Sequence, residues 1–179
     1  GQFSEIRRGR SSSRIEDPAK RGLVRNYQFK MAKQLMEHGD EDAARIALHN
    51  ALESEPDAAS QSAAAAEFFM EMGRADLAEA EYGFALAEDP NNVHYFNRLG
   101  LAFRRQKKYK DAIANFRKAI TVVPDDAVIY FNLAIALAES KDYNQSIGTL
   151  RRALVLEPHF SHAEKLLNTL QKKTGQLPS

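Results

Sequence analysis

The sequence predicts an all-α protein, a solenoid of four helix pairs closed by one C-terminal helix. Two observations predict this class. The 179 residues are rich in alanine and hold only 9 Gly and 6 Pro, and alanine is the strongest helix former. Four prolines stand 34 residues apart, and each is expected to end a helix: Pro56, Pro90, Pro124 and Pro158. A constant period of this length is typical of helical repeat proteins.

The residues between these prolines keep one register. With each proline counted as position 32, small residues recur at positions 8, 20 and 27: Ala32, Ala66, Gly100 and Ala134; Ala44, Ala78, Ala112 and Ser146; Ala51, Ala85, Ala119 and Ala153. Bulky residues recur at positions 11 and 24: Leu35, Phe69, Phe103 and Leu137; Leu48, Tyr82, Phe116 and Leu150. Antiparallel helices approach closely only where a facing side chain is small, and the large neighbours fill the space beside that contact. The pattern therefore predicts both the spacing and the core of the pairs.

Capping and turn residues predict where the first helix begins and where the turns lie. Asp17 before Pro18 is typical of a helix start, so the first helix is predicted from near Pro18 to His38. The turns within the first two pairs are predicted at Gly39–Asp40 and Gly73–Arg74. The stretches "KKY" and "KDY" are expected to serve as turns in the later pairs.

Both ends of the chain have a predicted role. After Pro158, "FSHAEKLLNTLQKKTG" predicts an amphipathic helix that ends at Gly175 and covers the apolar face of the last pair. Nine helices are expected in all. Residues 1–30 hold eight Lys or Arg against three acidic residues, and residues 1–16 are interpreted as a basic flexible tail or linker.

With these residues in place, the chain resembles the tetratricopeptide repeat family. The third copy, Val93–Asp126, matches the family pattern at Phe96, Leu99, Gly100, Phe103, Tyr109, Ala112, Phe116, Ala119 and Pro124. The fourth copy matches at Tyr130, Leu133, Ala134, Leu137, Tyr143, Leu150, Ala153 and Pro158. The first two copies depart from the pattern at Gln28, Ser62 and Ala65. The resemblance implies a right-handed superhelix over residues 17–179, with repeats at about 25–58, 59–92, 93–126 and 127–160 and a capping helix at about 160–174.

Sequence signals for catalysis are weak. There is no cysteine, which excludes disulfides, thiolate metal sites and cysteine nucleophiles. No glycine-rich phosphate loop, zinc-binding histidine pair or serine elbow is present. His159 and His162 are interpreted as surface residues of the last helix. We therefore expect no enzyme activity, no metal and no cofactor. No apolar run approaches the roughly 18 residues of a membrane span.

The resemblance implies a binding groove instead. In the family the first helices of successive repeats line a concave surface, where an apolar floor and amide side chains suit an extended peptide or a helix of a partner protein. Carried onto this sequence, the predicted groove residues are Asn97, Arg98, Leu101, Arg105, Phe131, Asn132, Ile135, Phe29, Lys33 and Met70. Interhelix core is the alternative for Phe131 and Ile135. The family's carboxylate clamp is broken at Ala63, Glu67 and Val128.

Three functional hypotheses stay open at this point. The first is a non-catalytic scaffold for a protein or peptide partner. The second is an interaction module of a larger signalling or secretion-assembly protein, since the chain begins with Gly1 rather than Met. The third is a nucleic-acid or membrane-surface adaptor that uses the basic tail; nucleic acid is less favoured because "RRGRSSSR" has no aromatic residue to stack on bases. A cytoplasmic location is expected from the absence of cysteine.

Overall fold

The computed structural model describes residues 18–176, and over these residues the helices are all α-helices and there is no β-strand. The described part contains nine helices, the predicted number: α1 Pro18–Glu37, α2 Glu41–Leu52, α3 Ala58–Glu71, α4 Ala75–Glu88, α5 Val93–Arg105, α6 Tyr109–Val122, α7 Ala127–Glu139, α8 Tyr143–Leu156 and α9 Ser161–Thr174. The predicted tail at residues 1–16 lies outside the described residues. None of the described helices is long and apolar enough to cross a membrane.

The chain divides into two compact units, the first ending at Ala51 and the second beginning at Leu52. In the first unit, α1 and α2 follow one another through a turn at Gly39, and Ala32, Ala44 and Leu48 are buried. In the second unit, each of the helices α3 to α9 packs against the next along the chain. This neighbour-to-neighbour packing is typical of a repeat solenoid. The repeat boundaries themselves stay a prediction.

The turn inside each helix pair requires a left-handed residue. Positive φ angles occur at Gly39 (80°), Gly73 (74°), Lys107 (59°) and Lys141 (69°), which repeat the 34-residue period. Glycine adopts this conformation without steric cost, whereas a side chain with a Cβ is strained there. The backbone geometry is therefore shared by all four turns, although only two of them carry the residue that suits it.

The small residues lie at the predicted helix contacts. Ala112 and Ala119 of α6 are fully buried and pack with Phe116, Ile129 and Leu133. At Gly100 of α5 a Cβ would lie 2.6 Å from Cε1 of Phe116, so only glycine fits against that ring. Alanine and glycine thus set the helix spacing, as the repeating pattern predicts.

The last helix covers the end of the solenoid. Ala163 and Leu170 of α9 are buried in one cluster with Ile147, Leu150 and Ala153 of α8. The half-buried Tyr143 also packs against this cluster, and Gly175 ends the helix with a φ of 70°. The predicted capping helix is confirmed.

Candidate functional site

The first helices of the second unit, α3, α5 and α7, are joined side by side by polar bridges. Between α3 and α5, Arg98 pairs with Glu67 and Nη1 of Arg105 donates to the carbonyl oxygen of Met70 at 2.8 Å. Between α5 and α7, Asn132 bonds to Asn97, and the side chains of Arg104 and Glu139 approach to 3.9 Å. Most of the predicted groove residues lie on this row of helices, which we call the first-helix face.

Two asparagines form the centre of this face. Nδ2 of Asn132 donates to Oδ1 of Asn97 at 3.0 Å, and both side chains are half-buried. Within the described part of the chain, the other two polar atoms of the pair, Nδ2 of Asn97 and Oδ1 of Asn132, have no hydrogen-bond partner. An unpaired amide nitrogen and an unpaired amide oxygen therefore remain, a combination that a peptide unit can satisfy.

The predicted site residue Arg98 is held inside the protein. Its guanidinium contacts both carboxylate oxygens of Glu67, and the hydroxyl of Tyr82 on α4 donates to the same carboxylate. Burial, and after it the positive charge of Arg105, lowers the pKa of Arg98, while burial raises the pKa of Tyr82 well above its ordinary value. A guanidinium with such a high ordinary pKa stays charged. Arg98 thus joins α3 and α5, and its charge is largely neutralised by Glu67.

The other predicted residues on α3 and α5 also contact neighbouring helices. Met70 is buried and accepts from Arg105 through its backbone carbonyl, while the side chain of Arg105 is otherwise exposed. Leu101 is half-buried and packs against the cluster formed by α6 and α7. These residues shape the first-helix face, and a direct contact with a partner stays a prediction.

Phe131 and Ile135 line a hollow of about 560 Å³ between α7 and α9. Its floor is apolar, with Leu166 and Leu170 of α9 opposite these two residues. The ring of Phe131 lies 4.9 Å from that of Phe160, so Phe131 contributes to the core and to the hollow at once. We call this hollow the α7–α9 groove.

The rim of the α7–α9 groove carries polar side chains, and those from α9 were not predicted as site residues. His162, Lys165 and Lys173 come from α9, and Glu139 comes from the end of α7. Nζ of Lys173 lies 4.6 Å from the centroid of the Tyr143 ring. Only the helical register of α9, continued from the fourth repeat, could have placed His162 and Lys165 at this rim.

The remaining two predicted residues belong to the first unit. Phe29 of α1 is half-buried, and the guanidinium carbon of Arg25 lies 5.6 Å from the centroid of its ring. Lys33 is exposed. Their part in a groove stays a prediction.

The described residues contain no cluster of three His, Asp or Glu side chains placed to hold a metal ion. Their buried side-chain nitrogen and oxygen atoms all have hydrogen-bond partners. Burial is the main cause of the lowered pKa of Arg98 and of the raised pKa of Tyr82. The site therefore consists of a concave hollow, apolar side chains and amide groups. This combination suits the binding of another molecule.

Comparisons with known proteins agree with this class of fold. A family model described as a TPR repeat matches residues 100–141. MamA has 18% sequence identity and a TM-score of 0.68, over 81% of this chain and 85% of MamA. The first TPR of Spaghetti (RPAP3), solved bound to an HSP90 peptide, has 19% identity and a TM-score of 0.63, over 66% of this chain and 94% of that one. Over the described residues the chain is therefore all-α, and the helices of the second unit form a helical repeat.

The matched repeat, the 34-residue period and the fold are all similar to those of tetratricopeptide repeat proteins. In sequence the chain is 31% identical over 91 residues to the type IV pilus assembly protein PilF of Pseudomonas aeruginosa. That alignment covers 51% of this chain and 36% of PilF, so the chain spans about a third of the length of this relative. A solved structure of P. aeruginosa pilF has 25% identity and a TM-score of 0.65, over 88% of this chain and 72% of that chain.

Proposed function

We propose that this protein is a non-catalytic scaffold whose first-helix face and α7–α9 groove bind a segment of a partner protein. The main support is the Asn97–Asn132 pair, which keeps an unpaired amide nitrogen and an unpaired amide oxygen next to Phe131 of the groove. Asn132 and Ile135 lie about one turn apart on α7, so one ligand can contact both.

The α7–α9 groove and the asparagine pair contribute to binding in different ways. Burial of apolar side chains against Phe131 and Ile135 supplies most of the affinity, because removal of apolar area from water is worth about 25 cal/mol per Å². The asparagine pair fixes the orientation of the bound segment, since an extended backbone offers one N–H and one C=O per residue. A partner segment with apolar anchors and an accessible backbone therefore fits this surface.

The similarity to PilF favours a particular setting for this scaffold. The matched relative is named a type IV pilus assembly protein, and we propose that this chain also acts in the assembly of a surface fibre. The hypotheses of a module in a larger protein and of an adaptor with a basic tail stay predictions; the tail lies outside the described residues.

Asn132→Ala tests the binding face. The substitution should weaken partner binding by about 1–3 kcal/mol, because a partner backbone group loses its hydrogen bond. Asn168→Ala, at an exposed asparagine of α9 outside the groove, is the matched control and should change the affinity little.

A photo-crosslinking residue at position 135 should capture the partner, and one at the exposed Val155 of α8 should not. The melting temperature of each variant checks that loss of the Asn97 contact has not unfolded the protein.

Equal losses in Asn132→Ala and Asn168→Ala, or equal crosslinking from positions 135 and 155, would place the binding site elsewhere. The fibre hypothesis is tested separately. A strain without the gene should lose surface fibres, and the wild-type gene should restore them. Normal fibres in that strain would refute a role in fibre assembly but would leave the binding face standing.

A further inference from the structure

A second hollow lies between the turn that follows α5 and the turn that follows α7. Its volume is about 550 Å³, and four lysines line it, Lys107, Lys108, Lys110 and Lys141, together with Asp111 and Glu139. We call these four lysines the lysine edge. All four are exposed.

Most of this positive charge is not neutralised. Nζ of Lys108 pairs with Glu79 at 2.6 Å. Within residues 18–176, the ammonium groups of Lys107, Lys110 and Lys141 have no hydrogen-bond or ion-pair partner. Glu139 lies 3.9 Å from Arg104, which offsets its negative charge. The hollow therefore presents an excess of positive charge to solvent.

Two of these lysines occupy unfavourable backbone positions. Lys107 and Lys141 have φ angles of 59° and 69°, whereas the equivalent positions of the first two turns are Gly39 and Gly73. Glycine would relieve this strain, and neither lysine side chain makes a hydrogen bond or ion pair in the described part of the chain. Strained residues that persist without structural need tend to mark functional positions.

The lysine edge is continuous with the proposed binding face. Glu139 lines both this hollow and the α7–α9 groove. We propose that the lysine edge binds an acidic stretch of the partner segment, next to the part of that segment that lies in the α7–α9 groove. This inference rests on the proposed function and adds the chemistry of the partner: apolar anchors followed by carboxylates.

The geometry favours an acidic peptide over a flat anionic surface. The lysines surround a hollow, and Asp111 and Glu139 lie among them. A peptide can direct its carboxylates toward the lysines and away from those two acids, whereas a lipid surface would be repelled by both. The charge pattern thus selects a flexible acidic chain.

The test uses the full chain, labelled with ¹⁵N, and octaglutamate as the probe. We expect saturable chemical-shift changes at residues 107–111 and 141 that weaken with salt.

The double variant Lys107→Gly/Lys141→Gly should bind octaglutamate roughly three- to tenfold more weakly. The same variant should melt about 2–8 °C higher, because both turns gain the residue that suits a positive φ. Lys20→Ala/Lys172→Ala removes the same charge from two exposed positions elsewhere and should keep the affinity.

Three outcomes would overturn the inference: no binding of octaglutamate, equal losses in the two double variants, or binding to vesicles that contain phosphatidylglycerol without binding to the peptide. The last outcome would assign the edge to lipid. Crosslinking from position 135 separates this inference from the proposed function. If that crosslink persists while the lysine edge fails its test, the groove stands and only the acidic character of the partner is wrong.

Discussion

At the scale of single residues, one missing methyl group decides how closely two helices pack. Gly100 of α5 faces the ring of Phe116, which is fully buried and cannot move into solvent. Gly148 of α8 has the same backbone type, but a Cβ there would meet no atom within 4 Å. The two glycines therefore have opposite structural roles.

Gly100→Ala should destabilise the protein by about 1–3 kcal/mol, because the new methyl group overlaps a buried ring. Gly148→Ala should instead stabilise it by about 0.5–1 kcal/mol, since alanine is the better residue inside an open helix. Urea denaturation of both variants measures the difference. Effects of the same sign would show that Gly100 does not set the distance between α5 and α6.

At the scale of helices, carboxylates and amides at the helix starts satisfy the first backbone amides. Asp57 and Asn92 accept from the amides of Ser60 and Tyr95 at the starts of α3 and α5. The bond from Ser60 lowers the pKa of Asp57. Because the folded-state pKa is the lower one, this cap stabilises the protein above the ordinary aspartate pKa of about 4, and the stabilisation is lost as the pH falls further.

The cap of α7 gives a clear test. Oδ1 of Asp126 accepts from the amides of Val128 at 2.8 Å and Ile129 at 3.3 Å. Asp126→Ala should cost about 1 kcal/mol, since both amides lose their acceptor. The adjacent Asp125 is exposed and makes no such bond, so Asp125→Ala should change the stability little. Equal costs measured by thermal denaturation would contradict the role of the cap.

The repeating sequence pattern predicts helices and turns much better than contacts across the groove. The prolines and the small residues repeat every 34 positions, so the pattern predicts the helix pairs, their turns and the buried alanines. It does not predict that Glu67 holds Arg98, because that bond joins different repeats and depends on side-chain rotamers. For the same reason the pairing of Asn97 with Asn132 was not predicted, although both residues were predicted on one face.

At the scale of the second unit, α9 covers apolar surface that the last repeat cannot bury by itself. Deletion of residues 159–179 removes Ala163 and Leu170 from the cluster and exposes Ile147 and Leu150. The shortened protein should melt at a lower temperature and self-associate. Light scattering and dye binding measure this, and a variant that lacks only residues 177–179 is the control. A shortened chain that stays monomeric and melts at the same temperature would show that α9 is not a cap.

The bridges between the first helices also bear on how the second unit folds and opens. Their partners lie only 31 or 35 residues apart in the chain, as in Glu67–Arg98 and Asn97–Asn132. A topology with such short loops between contacting residues has little closure entropy to overcome, so folding is fast and can begin at any repeat. Amide hydrogen exchange should then rise toward the ends of the unit, because an end helix opens after it loses a single neighbour.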